Sequence, residues 1–279
     1  MNAPPNPRAL LDARGLRPQK RFGQNFLLDA SVSQRIAQRA LESAGEVTRI
    51  LEIGAGTGAL TKALLDSGAD VTALEIDPAL VRLLRENSSL SNAVIIEADA
   101  LAFDFDAYAL RGPWCAAGNL PYNIATPLIL SLAEMVSGPR AMTVMIQKDV
   151  AARLAAQPST AAYGSLSIAI QYAMDVELEF TIGPQAFYPP PKVDSSVITL
   201  LRREHPRVAP RDLALFWKVV RAAFAYRRKT LANSLTLALD FERAGIVRAI
   251  TSCDLALECR GEQLDSADFA RLADALAEG

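Results

Sequence analysis

RILEIGAGTGAL, residues 49–60, joins an apolar run to three closely spaced glycines. The apolar half predicts a buried parallel strand, and Gly54, Gly56 and Gly58 predict a sharp turn into a helix. Glycine lacks a Cβ and tolerates positive φ, so the main chain can bend tightly there and a ligand can approach it. The first N–H groups of the following helix have no partner within the helix, which makes the turn a favourable place for a nucleotide-like ligand.

A second predicted strand, residues 70–76, contains Glu75, which lies 21 positions after Gly54. Nucleotide-binding α/β proteins place an acidic residue at about this spacing, where it accepts hydrogen bonds from ribose hydroxyls. We expect Glu75 to do the same. The pattern Gly54-x-Gly56-x-x-Ala59 also fits an NAD site, so the loop alone leaves an NAD-linked oxidoreductase open.

Strands and helices alternate around this loop. The predicted strands are residues 48–53, 70–76, 93–97, 114–118, 141–147, 175–180 and 197–201. This order predicts an α/β fold with a seven-stranded, mostly parallel, doubly wound Rossmann-like sheet whose last two strands lie at one edge. Beyond a proline-containing linker at 202–210 every pattern is helical. We therefore expect a flexible basic arm at 1–19, a sheet domain at 20–203 and a small all-helical domain at 204–279.

The composition indicates a globular cytoplasmic protein. Hydrophobic residues make up 51% of the 279 residues and charged residues 22%. No apolar run is long enough to cross a bilayer, and prolines interrupt the N-terminus where a secretory signal needs a continuous apolar core. The cysteines are odd in number and lack C-x-x-C spacing, which predicts reduced thiols and argues against disulfides or zinc. They are Cys115, Cys253 and Cys259.

The net charge of −2 and the isoelectric point near 5.6 argue against a nucleic-acid partner. Positive charge is nevertheless concentrated in two stretches, residues 8–21 and 218–229. The second stretch has no acidic residue among its cations, Lys218, Arg221, Arg227, Arg228 and Lys229. Two such patches fit phosphate binding, and they fit a solvated surface equally well.

The segment KRFGQNFLL, residues 20–28, combines cations, two aromatic residues, a glycine and two amides. This mixture is typical of a loop that folds over a ligand. Alternatively, its apolar end only fastens the next helix to the core. Asp29 is the predicted N-cap of that helix, with Val32, Ile36 and Ala40 facing inward.

Asn119-Leu120-Pro121-Tyr122 follows the fourth predicted strand and suits a planar exocyclic amine such as that of adenine. This amine is a poor nucleophile because its lone pair is delocalised into the ring. The Asn119 side-chain oxygen and the Leu120 carbonyl could accept its two N–H bonds and turn the lone pair towards a methyl group. Pro121 stiffens the turn, Tyr122 offers a ring for stacking, and Phe187 could close the other face of the base.

Two further residues bear on this site. Asp99 follows the third predicted strand, at the same sheet edge as the glycine loop, where it could accept from an adenine amino group or cap the next segment. The only histidine, His205, lies in the predicted linker. Transfer from an activated sulfonium needs positioning rather than a general base, and the composition argues against a Ser-His-Asp triad or a histidine metal site.

Several motifs together resemble the ribosomal RNA adenine dimethyltransferases, in particular the bacterial small-subunit (KsgA) type. The resemblance extends over nearly the whole chain, in one order. The motifs are FGQNFL (22–27), ExGxGxG (52–58), EID (75–77), DA (99–100), NLPYN (119–123), FxPPPKVDS (187–195) and FxxRRKTLxNSL (224–235).

The resemblance implies an enzyme that uses S-adenosylmethionine to dimethylate N6 of two adjacent adenosines in the 3′-terminal hairpin of 16S rRNA. It also implies a part in late assembly of the small (30S) ribosomal subunit. The chain would act as a monomer, without a metal and without a membrane.

The resemblance also implies roles for individual residues. The residues expected to hold the methyl donor are Asn25, Leu27, Gly54, Gly56, Glu75, Asp99 and Asn119. Those expected to serve the flipped base are Asn119, Leu120, Tyr122 and Phe187. RNA contacts are expected at Arg221, Arg227, Arg228 and Lys229.

Three alternatives remain open from the sequence. The sister group that methylates a large-subunit (23S) rRNA adenine shares the glycine loop and a similar Asn-x-Pro-Tyr motif, although the segment 224–235 favours the small-subunit type. An NAD-linked oxidoreductase would bind a dinucleotide tightly. A mainly non-enzymatic assembly factor would support subunit maturation even when catalytically dead.

Overall fold

The structure is a computed structural model that describes residues 6–226 and 228–278. These residues form two compact units. The first contains residues up to 151 together with 176–202, and the second contains 152–175 together with the residues from 203 onward. The segment 152–175 therefore belongs to the second unit, whereas the sequence-based boundary at 203 assigns it to the first.

The first unit is an α/β unit. Its strands are β1 (Phe26–Leu27), β2 (Arg49–Ile53), β3 (Asp70–Glu75), β4 (Val94–Glu97), β5 (Cys115–Asn119), β6 (Ala141–Gln147), β7 (Met174–Ile182), β8 (Phe187–Tyr188) and β9 (Ser195–Arg202). Its helices are α1 (Pro7–Ala13), α2 (Ala30–Ala44), α3 (Ala59–Asp66), α4 (Pro78–Glu86), α5 (Phe105–Ala109), α6 (Tyr122–Glu134) and the first half of α7 (Lys148–Ala155).

Seven strands form one sheet in the order β4-β3-β2-β5-β6-β9-β7. Strands β2 to β6 pair in parallel, and β9 runs antiparallel to β6. This confirms the predicted mostly parallel sheet with its last two strands at one edge. Leu51 in β2 and Val144 in β6 are almost fully buried, as expected for central strands covered on both faces. Strands β1 and β8 form a separate two-stranded sheet.

Helix α2 begins as predicted. The Asp29 carboxylate accepts a hydrogen bond from the Ser31 main-chain N–H at 2.8 Å, so it caps the helix N-terminus. Val32, Ile36 and Ala40 lie on one face of the helix and are buried. The helix contacts β5, β6 and β9, which fixes it against the sheet.

Residues 7–13 form helix α1, which differs from the prediction of a flexible arm. Asn6 caps it by accepting from the Arg8 N–H at 2.9 Å, and Pro7 occupies its first turn, where the missing N–H costs nothing. Leu11 on this helix is 1% exposed and packs with Phe26 and Leu80. The buried leucine explains why this short helix is ordered.

The second unit is helical. It contains the second half of α7, α8 (Ser165–Ala173), α9 (Leu213–Ala225), α10 (Leu231–Ala238), α11 (Arg243–Ser252) and α12 (Ser266–Glu278). Phe216 and Phe269 lie in its core together with Leu231 and Leu272. Within the described ranges, no helix is both long and apolar enough to span a bilayer.

Candidate active site

A cavity of about 430 Å³ lies where β2, β3, β4 and β5 end. Open α/β sheets bind ligands at this carboxyl edge, because the loops that follow parallel strands meet there. All residues expected to hold a methyl donor line the cavity, as do Leu120 and Tyr122. The donor-site residues are Asn25, Leu27, Gly54, Gly56, Glu75, Asp99 and Asn119. The structure thus brings together side chains that are up to 97 residues apart in the chain.

The glycine loop forms the floor between β2 and α3. Gly54, Gly56 and Gly58 have φ angles of 80°, 58° and 85°, a region that residues with a Cβ rarely adopt. A Cβ added to Gly56 would lie 3.1 Å from the ring of Phe26. Glycine is therefore needed at this position both for the turn and for the close approach of the ring.

The Glu75 side chain connects the end of β3 to the glycine loop. Its carboxylate accepts main-chain N–H bonds from Gly56 at 2.8 Å, and from Ile76 and Asp77 at 2.9 Å. Burial raises the pKa of Glu75, and these three hydrogen bonds act in the opposite direction. A carboxylate offers about four lone-pair sites. Glu75 therefore keeps capacity for a ligand hydroxyl.

Glu52 is the most buried acid of the cavity, with 1% of its surface exposed. Burial, together with the nearby Glu75 carboxylate, raises the pKa of Glu52 to about 8. Its Oε2 atom has no hydrogen-bonding partner among the described residues. A buried carboxyl with one unpartnered oxygen in a cavity suits a ligand that carries positive charge, since such a ligand would stabilise the ionised form.

Asn119 ends β5 and is oriented by the main chain of the FGQNFL segment. Its Nδ2 group donates a hydrogen bond to the Asn25 carbonyl oxygen at 2.8 Å. Leu120 is 2% exposed, and its N–H donates to the Met145 carbonyl at 3.0 Å. Both residues line the cavity, and Asn119 Oδ1 and the Leu120 carbonyl remain the predicted acceptors.

Tyr122 begins α6 and is held through its hydroxyl. The hydroxyl lies 2.7 Å from the Oγ atom of Ser195, a fully buried residue at the start of β9. Burial raises the pKa of Tyr122, so the phenol stays protonated and can donate this bond. This hydrogen bond holds the half-buried ring of Tyr122 beside the cavity, and it involves the hydroxyl rather than the faces of the ring.

Asp99 is exposed at the rim. Its Oδ1 accepts from the Leu101 main-chain N–H at 2.9 Å, which is the capping arrangement weighed as the alternative to a ligand contact. The other carboxylate oxygen of Asp99 is free of this turn, so the turn and a ligand contact are compatible.

The structure does not place Phe187 with the other base-holding residues. Phe187 is 2% exposed, belongs to the hydrophobic core and does not line the cavity. It lies on β8, opposite Leu27 of β1. Neighbouring side chains of a strand point to opposite sides, and here the purely apolar ring points inward while Tyr188 is half-buried. This differs from the prediction that Phe187 closes the second face of the base.

The cations expected to contact RNA belong to the second unit. Arg221, Arg228 and Lys229 are exposed. Arg227 lies outside the described residues. In the described part of the chain, no group of three or more His, Cys, Asp or Glu side chains is arranged to hold a metal ion.

Sequence reasoning assigned no role to Glu52, Asp77 or Ser195. Each lies inside a quoted motif, at 52–58, 75–77 and 187–195, so the motifs contained the signal. Their partners are distant in sequence, however. The Tyr122–Ser195 contact, for instance, joins residues 73 positions apart.

Comparisons with known proteins agree with this arrangement. A family model described as "Ribosomal RNA adenine dimethylase" matches residues 15–277. The chain is 45% identical to the ribosomal RNA small subunit methyltransferase A of Magnetococcus marinus over 95% of its own length and 94% of the relative. It is 46% identical to the protein of the same name from Pseudomonas aeruginosa, with coverages of 94% and 96%.

Solved structures give the same picture. A dimethyladenosine transferase from Plasmodium falciparum matches with a TM-score of 0.74 and 25% identity, over 88% of this chain and 95% of that one. The 23S rRNA methyltransferase ErmE matches with a TM-score of 0.70 and 26% identity, over 91% and 100%. With the family model matching nearly its entire length, the chain belongs to the ribosomal RNA adenine dimethylase family.

Proposed function

We propose that this chain transfers methyl groups from S-adenosylmethionine to N6 of two adjacent adenosines in the 3′-terminal hairpin of 16S rRNA, within the small ribosomal subunit. The observation that supports the proposal is that Asn119, Leu120 and Tyr122 line the same cavity as the residues expected to hold the donor, with the Asn119 amide bonded to the Asn25 carbonyl. The relatives from Magnetococcus and Pseudomonas, named as small-subunit methyltransferases, support the choice of subunit.

The cavity fits the donor. Its lining contains three carboxyl groups, Glu52, Glu75 and Asp99, and a single cation, Arg21. Such a lining favours a ligand with net positive charge over the doubly anionic pyrophosphate of NAD. Glu75 would hold the ribose, and the glycine loop would let the donor approach the main chain. When bound, the donor supplies a methyl group already activated by its sulfonium.

The protein's own contribution to the chemistry is positioning. Asn119 Oδ1 and the Leu120 carbonyl would accept the two N–H bonds of the adenine amine, which draws its nitrogen towards tetrahedral geometry and directs the lone pair at the methyl carbon. Tyr122 would support the flipped base by stacking. The N–C bond forms as the S–C bond breaks, and the nitrogen then loses one proton to solvent.

Contacts to rRNA outside the cavity are proposed for Arg221, Arg228 and Lys229, which are exposed, and for Arg227. Local cations of this kind would neutralise phosphates although the whole chain is acidic. We propose that the second unit is the rRNA-binding domain. We propose that the chain acts as a monomer, and a ribosomal substrate implies work in the bacterial cytoplasm.

Methylation of 23S rRNA is the second candidate, favoured by the likeness to ErmE. The two substrates are separated by one experiment. The chain is incubated with radiolabelled S-adenosylmethionine and either small subunits that lack the methylation or large subunits. The label incorporated into each rRNA is counted, and the modified nucleotides are located by primer extension. The proposal expects stops at two adjacent adenosines near the 3′ end of 16S rRNA. Label in 23S rRNA, or in neither, would contradict it.

A further inference from the structure

Residues 22–27 form one wall of the cavity. Two glutamine side chains connect this wall to Asp77, which lies just after β3. Asp77 is 4% exposed. Its Oδ1 accepts from the Ala79 N–H at 3.0 Å and caps α4. Its Oδ2 accepts from the Nε2 groups of Gln24 at 3.0 Å and Gln19 at 3.2 Å. Both carboxylate oxygens of this buried acid are therefore occupied, one by a helix cap and one by two glutamines.

The two glutamines are also tied to each other. Gln24 Oε1 accepts from the main-chain N–H of Gln19 at 2.7 Å, and Gln19 Oε1 accepts from Arg21 Nε at 2.9 Å. Rotating either side-chain amide by half a turn would exchange the positions of its Oε1 and Nε2 atoms. One of these bonds would then be lost, and an oxygen atom would face the Asp77 carboxylate. The orientation of both Nε2 groups towards Asp77 is thus fixed by the network itself.

Gln24 lines the cavity together with its neighbours Gly23 and Asn25. The Asn25 carbonyl receives the Asn119 amide, so the position of this wall also sets the direction of Asn119. On the other side, a Cβ added to Gly23 would lie 3.1 Å from Asn123 Oδ1. The wall is therefore in close contact with the loop expected to hold the target base.

Helix α1 packs against the same wall, on the side away from the cavity. Leu11 packs with Leu80 of α4 and with Phe26, and the Phe26 ring lies against Gly56 of the glycine loop. Arg14, just after α1, forms an ion pair with Glu86 at the end of α4. Residues 7–24 are thus attached to α4 at several points.

We propose that Asp77, Gln19 and Gln24 are positioning residues of the donor site, and that residues 7–21, together with Asp77, form a brace that holds the cavity wall 22–27 in its binding conformation. This inference rests on the proposed function. Ordering a wall before the ligand arrives lowers the entropy cost of binding. Without the brace, the wall would have to be ordered by the donor itself, so donor affinity would fall more than the rate at saturating donor.

The test compares three variants of the full chain. Gln24→Ala removes one amide. Asp77→Asn retains the helix cap, since asparagine caps as well as aspartate, but presents an NH₂ group to the two glutamines. Gln38→Ala is the matched control, because Gln38 donates a similar amide bond, at 2.9 Å, to Glu42 on the exposed face of α2.

Binding of S-adenosylhomocysteine is measured by calorimetry, next to thermal midpoints and the kcat and donor KM of methyl transfer. We expect Kd and KM to rise about tenfold in Gln24→Ala and Asp77→Asn, equivalent to about 1.4 kcal/mol. kcat should change less than Kd, and Gln38→Ala should match the wild type.

Unchanged Kd in both variants would overturn the inference, as would loss of binding that only accompanies unfolding at the assay temperature. If the wild type binds S-adenosylhomocysteine and both variants bind it with the same Kd, only this inference is overturned and the proposed function stands. A wild-type chain with no affinity for S-adenosylhomocysteine would overturn the proposed function as well.

Discussion

The Asn119 side-chain amide donates to the Asn25 main-chain carbonyl at 2.8 Å. This bond uses the NH₂ end of the amide and so leaves Oδ1 as the end that can accept from a substrate amine. Two segments that are 94 residues apart in the chain are thereby linked at one point. The segment expected to contact the donor orients the residue expected to contact the target base, which couples the two halves of the site.

Removing the ring of Tyr122 should cost far more than removing its hydroxyl. Stacking of a base on an aromatic ring is worth about 1–3 kcal/mol, so Tyr122→Ala should lower kcat/KM for small subunits by about 5- to 150-fold. Tyr122→Phe keeps the ring and loses only the bond to Ser195. Its effect should stay below about tenfold, in line with the loss of one hydrogen bond.

Ser195 provides the control for that prediction. If it acts only through the Tyr122 hydroxyl, the double variant Tyr122→Phe with Ser195→Ala should be no slower than the worse single variant. Additive losses in this double-mutant cycle would show that Ser195 has a separate role.

Glu52→Gln should stabilise the protein at alkaline pH. Burial raises the pKa of Glu52 from 4.5 to about 8 in the folded chain. The folded state therefore holds its proton more tightly than the unfolded state, and stability is lost as pH rises from about 4.5 to about 8. Glutamine, which resembles the protonated acid, avoids this loss.

The measurement is the thermal midpoint of both proteins, without donor, from pH 5 to pH 9. The advantage of Glu52→Gln should grow across this range and level off above about pH 8, the folded-state pKa. Its full size should be of the order of a few kcal/mol. A difference between the two proteins that does not change with pH would contradict this account of Glu52.

Neutralising Arg228 and Lys229 should flatten the salt dependence of binding to small subunits. Each phosphate contact contributes a slope of about 0.7 to 0.9 in log K against log salt, so the double alanine variant should lose about 1.4 to 1.8. Arg82→Ala with Arg111→Ala, two exposed cations of the first unit, serves as the control. An equal slope in all three proteins would assign Arg228 and Lys229 to ordinary surface.

The cavity residues that follow strands could be predicted from the sequence. Glu75, Asp99 and Asn119 come at or just after strand ends, and parallel strands bring their carboxyl ends to one edge. Periodicity and glycine spacing are local signals, so they located the sheet and its ligand-binding edge. The βαβ alternation predicted seven strands with the last two at one edge, whereas the order of the other strands comes from the structure.

Contacts between distant segments could not be predicted in this way. Helix α1 is short, contains a proline and lies in a stretch that is rich in arginine. No local pattern therefore indicates that Leu11 is buried. The bonds of Asp77 with Gln19 and Gln24 depend on how the N-terminal segment packs. Phe187 differs for the same reason, since the pairing of β8 with β1 determines which way its ring points.

The central claim is that Asn119 accepts a hydrogen bond from the target amine and so directs its lone pair. It is tested most directly by the single-turnover rate of methyl transfer to undermethylated small subunits, at saturating donor, for the wild type, Asn119→Ala and the exposed-surface control Asn92→Ala. Loss of one such oriented group typically costs about 10²- to 10³-fold. We expect Asn119→Ala to lose at least about 100-fold while folding normally and still binding the subunit, and Asn92→Ala to match the wild type. A rate for Asn119→Ala equal to that of the wild type would contradict the account.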